Sequence, residues 1–228
     1  MIIKGKKYLY TAGVMLYPEL EMATFKKQSA QGWRFVRMTK LGILIFEQCP
    51  PQEQQFSVDF YDGEQSDLSD YLALYEEAGW QNVSNYHKKY YYFSAPLETA
   101  PIYTDSQSYR ERIRKEWTWA ILRSLVTLPI GLAILYLLTT TKHESANILA
   151  HKGLRFGLDI SAFLLLIWPF SIILSLLFSR IVYRQRANYF GRPDAFAKKQ
   201  RIMRDGLILA IIGAFIGGFV GYFRYKFF

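Results

Sequence analysis

The chain contains few of the residues that form disulfides or act as nucleophiles in covalent catalysis. It contains one cysteine, Cys49, among 228 residues, which excludes an intrachain disulfide. Cys49 precedes Pro50-Pro51 in a loop-like sequence, so we interpret it as an incidental thiol. No glycine-rich phosphate loop, nucleophile elbow or paired-carboxylate motif occurs. We therefore expect a protein that is not an enzyme, with no catalytic residue and no cofactor.

Histidine is also scarce, with three residues in the chain. Two of them, His143 and His151, lie close together in the sequence, and Glu144 follows His143. Their spacing matches no known ligand pattern, and zinc needs three or four well-placed ligands. We therefore expect no metal site.

Acidic residues are scarce in the second half of the chain. Residues 1–108 contain ten Lys or Arg against thirteen Asp or Glu, whereas the remainder contains eighteen against six. A net charge of +9 can indicate nucleic-acid binding. Here the positive excess flanks long apolar runs, where membrane topology already explains it. We therefore expect no nucleic-acid partner.

Three apolar runs contain almost no charge, at about 119–138, 158–178 and 206–223. Runs of about 20 residues match a hydrocarbon core of about 30 Å, so they predict three transmembrane helices in a lipid bilayer. The third run is shorter and rich in glycine. No ionisable residue falls at mid-bilayer, which argues against a self-sufficient transporter.

The segment 180–205 orients these helices, because it contains eight Lys or Arg against two Asp. A short loop this basic is expected in the cytoplasm. Basic residues also precede the first run, which places the N-terminal domain on the same side. The loop 139–157 and the C-terminus then lie outside. We predict a multi-pass plasma-membrane protein.

Six cations of this loop are candidate docking residues. They are Arg184, Arg186, Lys198, Lys199, Arg201 and Arg204. One possible partner is the acidic N-terminal domain, and the other is the layer of anionic lipid headgroups. The sequence leaves both open, as well as a role in topology alone.

Residues 8–94 contain a weak internal repeat. Gly32-Trp33 and Gly79-Trp80 recur 47 residues apart, each after a predicted helix and before a predicted hairpin. Glycine suits the position just past a helix end, where the backbone turns left-handed. We divide the chain into an α+β domain (1–94), a linker with a charged juxtamembrane helix (95–116) and a membrane domain (117–228).

The predicted elements of this α+β domain follow the order strand–helix–strand–strand, twice. The helices cover 18–31 and 67–78, and the strands cover 8–15, 33–38, 42–47, 55–61, 81–86 and 90–94. A duplicated β-α-β-β unit predicts one antiparallel sheet with two helices on one face, in a ferredoxin-like layout.

Two further patterns concern the surface of this domain. In the aromatic run, alternation places Tyr91 and Phe93 on one face and Tyr90 and Tyr92 on the other. One pair packs under the helices, while the other either joins the core or forms an exposed binding surface. Asp59 and four nearby acids form a cluster that we interpret as a solvated turn.

In the third apolar run, Gly213, Gly217 and Gly221 are spaced by four residues. This spacing places small residues on one helix face and lets another helix approach closely. The partner is either a span of the same chain, a second copy or another protein.

Several motifs together resemble the family of domain of unknown function 2812. They are Ala30-Gln31-Gly32-Trp33, the hairpin through Phe46, Phe56-Ser57-Val58-Asp59-Phe60, Tyr75-Glu76-Glu77-Ala78-Gly79-Trp80 and Tyr91-Tyr92-Phe93. The resemblance covers roughly 8–94. It implies a bacterial membrane protein with no assigned activity, encoded near PadR-type transcription regulators, and hence a role in envelope stress or signalling.

We expect a non-enzymatic regulatory or adaptor protein whose cytoplasmic domain binds a partner or ligand. One alternative is an accessory subunit of a transporter or envelope complex, contacting it through the glycine face or forming a homo-oligomer. A second is a membrane enzyme that acts on lipid and holds headgroups with its basic loop.

Overall fold

A computed structural model describes residues 1–140, 152–191 and 193–227. The chain divides into two compact units. One contains Met1–Ser108 together with Arg186–Phe228, and the other contains Tyr109–Gln185. The division into a domain at 1–94, a linker at 95–116 and a membrane domain at 117–228 stays a prediction.

The first unit contains two antiparallel sheets. Sheet A has the order β1-β2-β4-β3, and sheet B has the order β5-β7-β6. The strands are β1 Ile2–Ile3, β2 Lys6–Tyr10, β3 Trp33–Met38, β4 Ile43–Gln48, β5 Gln54–Phe60, β6 Gln81–Tyr86 and β7 Tyr90–Pro96. Helix α1 (Pro18–Ala30) precedes β3, and helix α2 (Leu68–Glu77) precedes β6. The order strand–helix–strand–strand is therefore present twice.

The two helix ends of the repeat have the same backbone geometry. Gly32 has φ +81° and Gly79 has φ +84°, in the left-handed region that glycine adopts at low cost. The N–H of Gly32 donates to Ser29 O at 3.0 Å, and the N–H of Gly79 donates to Glu76 O at 2.9 Å. These bonds satisfy carbonyls at the helix end that have no partner within the helix. The following strand begins at Trp33 in the first copy and directly after Trp80, at Gln81, in the second.

The two helices pack on opposite faces of sheet B, which corrects the prediction of one sheet with both helices on one face. Tyr92 contacts α1, where its ring centroid lies 5.6 Å from that of Phe25. Tyr91 and Phe93 point the other way and pack with Trp80 and the apolar side of α2. The ferredoxin-like layout is therefore not confirmed.

The aromatic run of β7 is buried on both faces. Tyr90, Tyr91, Tyr92 and Phe93 are all at most 4% exposed. The alternative of an exposed aromatic binding surface is therefore wrong. The physical reason is that each face of this central strand has its own helix, so every side chain of the run has apolar neighbours.

Phe25 of α1 lies at the centre of the core between the two sheets. Its ring stacks on Phe35 at 4.1 Å between centroids and meets Phe46 and Phe56 edge-on. Phe35 and Phe46 belong to sheet A, while Phe56 belongs to sheet B. One helix residue thus joins both sheets, and burying such a side chain contributes about 2–3 kcal/mol.

The second unit is helical. It comprises most of α3 (Ser106–Leu125), α4 (Thr127–Thr140) and α5 (Lys152–Val182). α4 and α5 pack closely, since a Cβ at Gly131 would lie 2.9 Å from Leu166 Cγ. Thr127 Oγ1 also donates to Leu165 O at 2.8 Å.

Among the described residues, two stretches are long and apolar enough to cross a membrane. They are Ser106–Thr140, which joins α3 and α4, and Gly153–Val182. The prediction of three spans is therefore corrected to two within this part of the chain. The third run lies on the 35-residue helix α6 (Pro193–Phe227), and part of its side chains fall outside the described residues.

Candidate functional site

The candidate site is the junction of α1 and α6, within the first unit. Helix α1 begins with Pro18-Glu19-Leu20-Glu21, in which proline presets the helical φ and the acids suit the positive helix end. Glu19 is nevertheless 5% exposed and Glu21 is fully buried. Two carboxylates that ordinary capping would leave in water are thus covered by other parts of the fold.

Glu19 is bound from the C-terminal segment by two side chains. Arg186 Nε donates to Glu19 Oε1 at 2.6 Å, from a short 3-10 turn at Arg186–Tyr189. Gln200 Nε2 donates to Glu19 Oε2 at 2.7 Å, from the N-terminal part of α6. The N–H of Leu20 donates to Gln200 Oε1 at 3.0 Å. Both oxygens of the carboxylate are therefore held, which a buried charge requires.

Apolar packing surrounds this junction. Phe196 and Ala197 of α6 are buried, at 1% and 2% exposed. Together with Gln200 they occupy positions i, i+1 and i+4, which form one helix face. At the rim, Lys26 Nζ binds Asp194 Oδ2 at 2.7 Å, but both side chains are about half exposed, so this pair adds little stability.

A cleft of about 390 Å³ opens beside the same junction. It lies between α1, β5 and the start of α6. Its lining residues are Met22, Lys26, Gln55, Phe56, Leu97, Gly191, Pro193, Asp194 and Ala195. Among these described residues the charged groups are Lys26 and Asp194, which pair with each other.

Glu21 faces the core on the other side of α1. Thr11 Oγ1 and the N–H of Ala12 donate to its Oε2, the latter at 3.1 Å, and Tyr92 Oη donates to its Oε1 at 3.1 Å. Burial raises the pKa of Glu21, and these hydrogen bonds oppose that rise. Burial and the neighbouring Glu21 also raise the pKa of Tyr92, which keeps its hydroxyl protonated.

Another buried carboxylate, that of Asp59, accepts hydrogen bonds from three tyrosines. The hydroxyls of Tyr71 and Tyr75 on α2 each donate to Asp59 Oδ2 at 2.7 Å, and that of Tyr103 donates to Oδ1. Burial first, and then Asp59, raises the pKa of Tyr71. Asp59 is 7% exposed, so its interpretation as part of a solvated turn is wrong. It pairs with Tyr91 across the strands and therefore points toward α2.

The six candidate docking cations occupy different environments. Arg186 is 3% exposed and bound to Glu19. Arg204 binds Asp205 at 2.8 Å. The remaining four, Arg184, Lys198, Lys199 and Arg201, are exposed. Of these six cations, Arg186 is the one that binds Glu19 of α1. Gln200 binds the same carboxylate, but it is uncharged and so could not be identified from the charge pattern.

The glycines of the third run also differ from the packed Gly131. Within the described residues, no atom lies within 4 Å of a Cβ added at Gly213 or Gly217. The surroundings of Gly221 lie outside the described residues. Of the two repeat tryptophans, Trp80 is buried and donates from Nε1 to Ala100 O at 3.0 Å, whereas Trp33 is half-buried beside Lys7.

The described residues offer little for metal binding or for nucleophilic catalysis. No group of three or more His, Cys, Asp or Glu residues there is arranged to hold a metal ion. His143 and His151 lie outside the described residues. Cys49 is a half-buried free thiol.

The sequence patterns do not identify four buried residues of the junction and core. They are Glu19, Glu21, Gln200 and Asp59. The spacing of Phe196, Ala197 and Gln200 was an available signal, because it marks one face of a helix. No comparable sequence signal exists for Asp59, because its tyrosine partners come from α2 and from the separate segment after β7.

The family comparison matches the N-terminal half of the chain. The model of the family described as "Protein of unknown function (DUF2812)" matches residues 18–125. This range covers α1 through the end of α3. No curated protein and no solved structure matches the chain.

Proposed function

This chain belongs to the DUF2812 family through residues 18–125, and we propose that it is a non-enzymatic regulatory or adaptor protein of the plasma membrane. Its N-terminal α+β domain lies in the cytoplasm and binds a protein partner there, or a ligand. Helix α6 links the state of that domain to the membrane. The setting we propose is envelope stress or signalling.

The observation that carries this proposal is the buried pair of Glu19 and Arg186, completed by Gln200. A buried ion pair adds little net stability, because desolvation of the charges offsets their attraction. Its use here is to specify one register of α1 against α6. A partner that prefers another arrangement of α1 would shift the population away from this register.

The membrane part of the proposal rests on two observations. Ser106–Thr140 and Gly153–Val182 have the length and composition of spans, and the most apolar stretch of each is largely unburied. Helix α6 adds exposed apolar side chains at Leu209, Ile212 and Ile216, which favours contact of this helix with lipid. The basic segment 180–205 favours the cytoplasmic side for the junction.

Crosslinking in membranes, followed by affinity purification of the full chain, tests the proposal. The variants are Glu19→Gln, which weakens the buried junction, and Lys26→Gln as a control at the exposed rim pair. We expect the wild type and the control to recover the same partner. Glu19→Gln should change the amount of partner recovered several-fold, because the buried pair no longer fixes the register of α1 against α6. Equal recovery by all three chains, or no specific partner, would contradict the proposal.

A second candidate function is an accessory subunit that packs against another membrane protein or a second copy. Gly213 and Gly217 favour it, since no described atom fills the space beside them, whereas Leu166 fills the space beside Gly131. Replacement of Gly217 by Leu should then break the complex on a native gel. Gly157→Leu is the control, because Gly157 on α5 has equally open surroundings. An intact complex in Gly217→Leu rejects this function.

A further inference from the structure

The basic segment at the start of α6 has two faces with different surroundings. Phe196, Ala197 and Gln200 are buried toward α1. At 3.6 residues per turn, Lys198 and Arg201 lie about 100° or more around the helix from Gln200. Both are exposed, and so is the intervening Lys199, which lies over the ring of Phe196 at 5.9 Å. The cations of this turn therefore remain available while α6 is docked.

The exposed face continues along α6 as an apolar strip. Ile202, Leu209, Ile212 and Ile216 are 49–69% exposed, and the helical period places them on the same side as Lys198 and Arg201. Arg201 precedes Leu209 by eight residues, which is about 12 Å along the helix axis. Asp205 also lies on this side, but Arg204 neutralises it at 2.8 Å.

The two cations are followed along the helix by apolar side chains, and this order favours a phospholipid over a soluble phosphate as the bound anion. A soluble phosphate would use the cations alone and would leave the strip in water. A phospholipid supplies both parts, because its headgroup carries the negative charge and its acyl chains cover apolar surface. Long cationic side chains also extend toward the headgroup layer while their stems contact apolar groups.

We propose that the exposed face of α6 formed by Lys198, Arg201 and the strip from Ile202 to Ile216 binds anionic phospholipid. The headgroup lies against the two cations, and the acyl chains lie along the apolar strip. The docked face remains on α1 at the same time. Lipid therefore does not compete with the N-terminal domain for Arg186, and the two partners use opposite sides of one helix.

The test uses the full chain with Cys49→Ser and Ala195→Cys, labelled with a fluorophore at residue 195, which is exposed one turn before Lys198 and outside the proposed face. The chain is reconstituted in nanodiscs of phosphatidylcholine containing spin-labelled phosphatidylglycerol or spin-labelled phosphatidylcholine as quencher. We expect stronger quenching by phosphatidylglycerol. Each cation near an anionic surface is worth about fivefold in association, so Lys198→Gln with Arg201→Gln should reduce the preference at least fivefold.

A matched control removes the same charge elsewhere in the first unit. Arg37→Gln with Lys40→Gln neutralises two exposed cations on the β3–β4 hairpin and should keep the preference. Equal quenching by both lipids in the wild type would overturn the proposal. Equal loss of preference in variant and control would also overturn it, because net charge would then explain the effect. Displacement by soluble glycerol phosphate would assign the cations to a free anion instead of a lipid.

Discussion

Arg186 Nε lies 2.6 Å from Glu19 Oε1 across a separation of 167 residues in the chain. Both side chains are buried, at 3% and 5% exposed. The pair connects the first turn of α1 to the segment that leads into α6. With Gln200 and the buried Phe196 and Ala197, it forms the junction of these two segments, which belong to one compact unit.

Arg186→Gln is expected to destabilise the first unit by about 3–5 kcal/mol, because Glu19 would remain buried without its cation. Glu19→Gln with Arg186→Gln should cost less than the sum of the single changes, since neither charge is then left alone. Hydrogen exchange of α1 and of 193–204 in detergent measures the effect. Lys26→Gln at the exposed pair should change stability by less than about 1 kcal/mol. Additive single changes would show that the two charges do not interact.

Glu21→Gln is expected to make the protein more stable at neutral pH and to change its pH dependence. Burial raises the folded pKa of Glu21 above its ordinary 4.5, so the folded state binds the proton more tightly than the unfolded chain. The stabilisation that the protonated Glu21 carboxyl contributes is complete below pH 4.5, and it is lost as pH rises through the pKa of the folded state. A tenfold difference in proton affinity between the folded and unfolded states corresponds to about 1.4 kcal/mol of stability.

The measurement is the unfolding free energy of wild type and Glu21→Gln across the mildly acidic to neutral pH range. The unfolding free energy of Glu21→Gln should exceed that of the wild type by an amount that increases as pH rises above 4.5 and then becomes constant. Glutamine keeps a carbonyl for Thr11 and Ala12, so the hydrogen bonds of the site are largely preserved. A difference in unfolding free energy that does not change with pH would show that Glu21 has the same pKa in the folded and unfolded states.

Asp59→Ala is expected to loosen both α2 and the segment that contains Tyr103. Three tyrosine hydroxyls would lose this acceptor, and each buried polar group without a partner costs about 1–3 kcal/mol. Asp59→Asn should cost less, because its carbonyl still accepts. Amide exchange in 68–77 and 97–105 separates the variants. Unchanged exchange in both segments after Asp59→Ala would show that the cluster does not hold them.

Gly32→Ala and Gly79→Ala are expected to differ, although both positions have positive φ. The left-handed backbone costs an added Cβ about 1–2 kcal/mol at either site. At Gly32 the Cβ would also lie 2.8 Å from the backbone oxygen of Cys49, whereas at Gly79 the nearest atom is the Thr99 side chain at 3.3 Å. Gly5→Ala measures backbone strain alone, since no described atom lies within 4 Å there. Thermal unfolding should rank Gly32→Ala as the least stable; equal melting temperatures would contradict the clash.

Cys49 provides a direct test of orientation. The proposed topology places it in the cytoplasm, so a membrane-impermeant maleimide should leave it unlabelled in intact cells. The same reagent should label it after the cells are opened, because the thiol is half-buried and free. Labelling in intact cells would invert the proposed topology.

The local elements of the N-terminal domain were largely predictable from sequence. β3 and β6 have the predicted bounds, and the ends of the two helices differ from prediction by at most one residue. Alternation, helical spacing and the glycines at 32 and 79 report on backbone conformation over a few residues, which the sequence encodes directly. The short edge strand β1 was missed, because two residues carry no periodicity.

The sequence by itself determined the repeat, the strand pattern, the apolar runs and the position of the basic segment. The tertiary structure decided what lies on each side of these elements. It placed the helices on opposite faces of sheet B, buried Asp59 among three tyrosines and joined α6 to α1 through Glu19 and Arg186. Periodicity specifies which residues share a face, but not which distant segment covers it. That choice depends on packing and on partners for buried charge, which only the folded chain brings together.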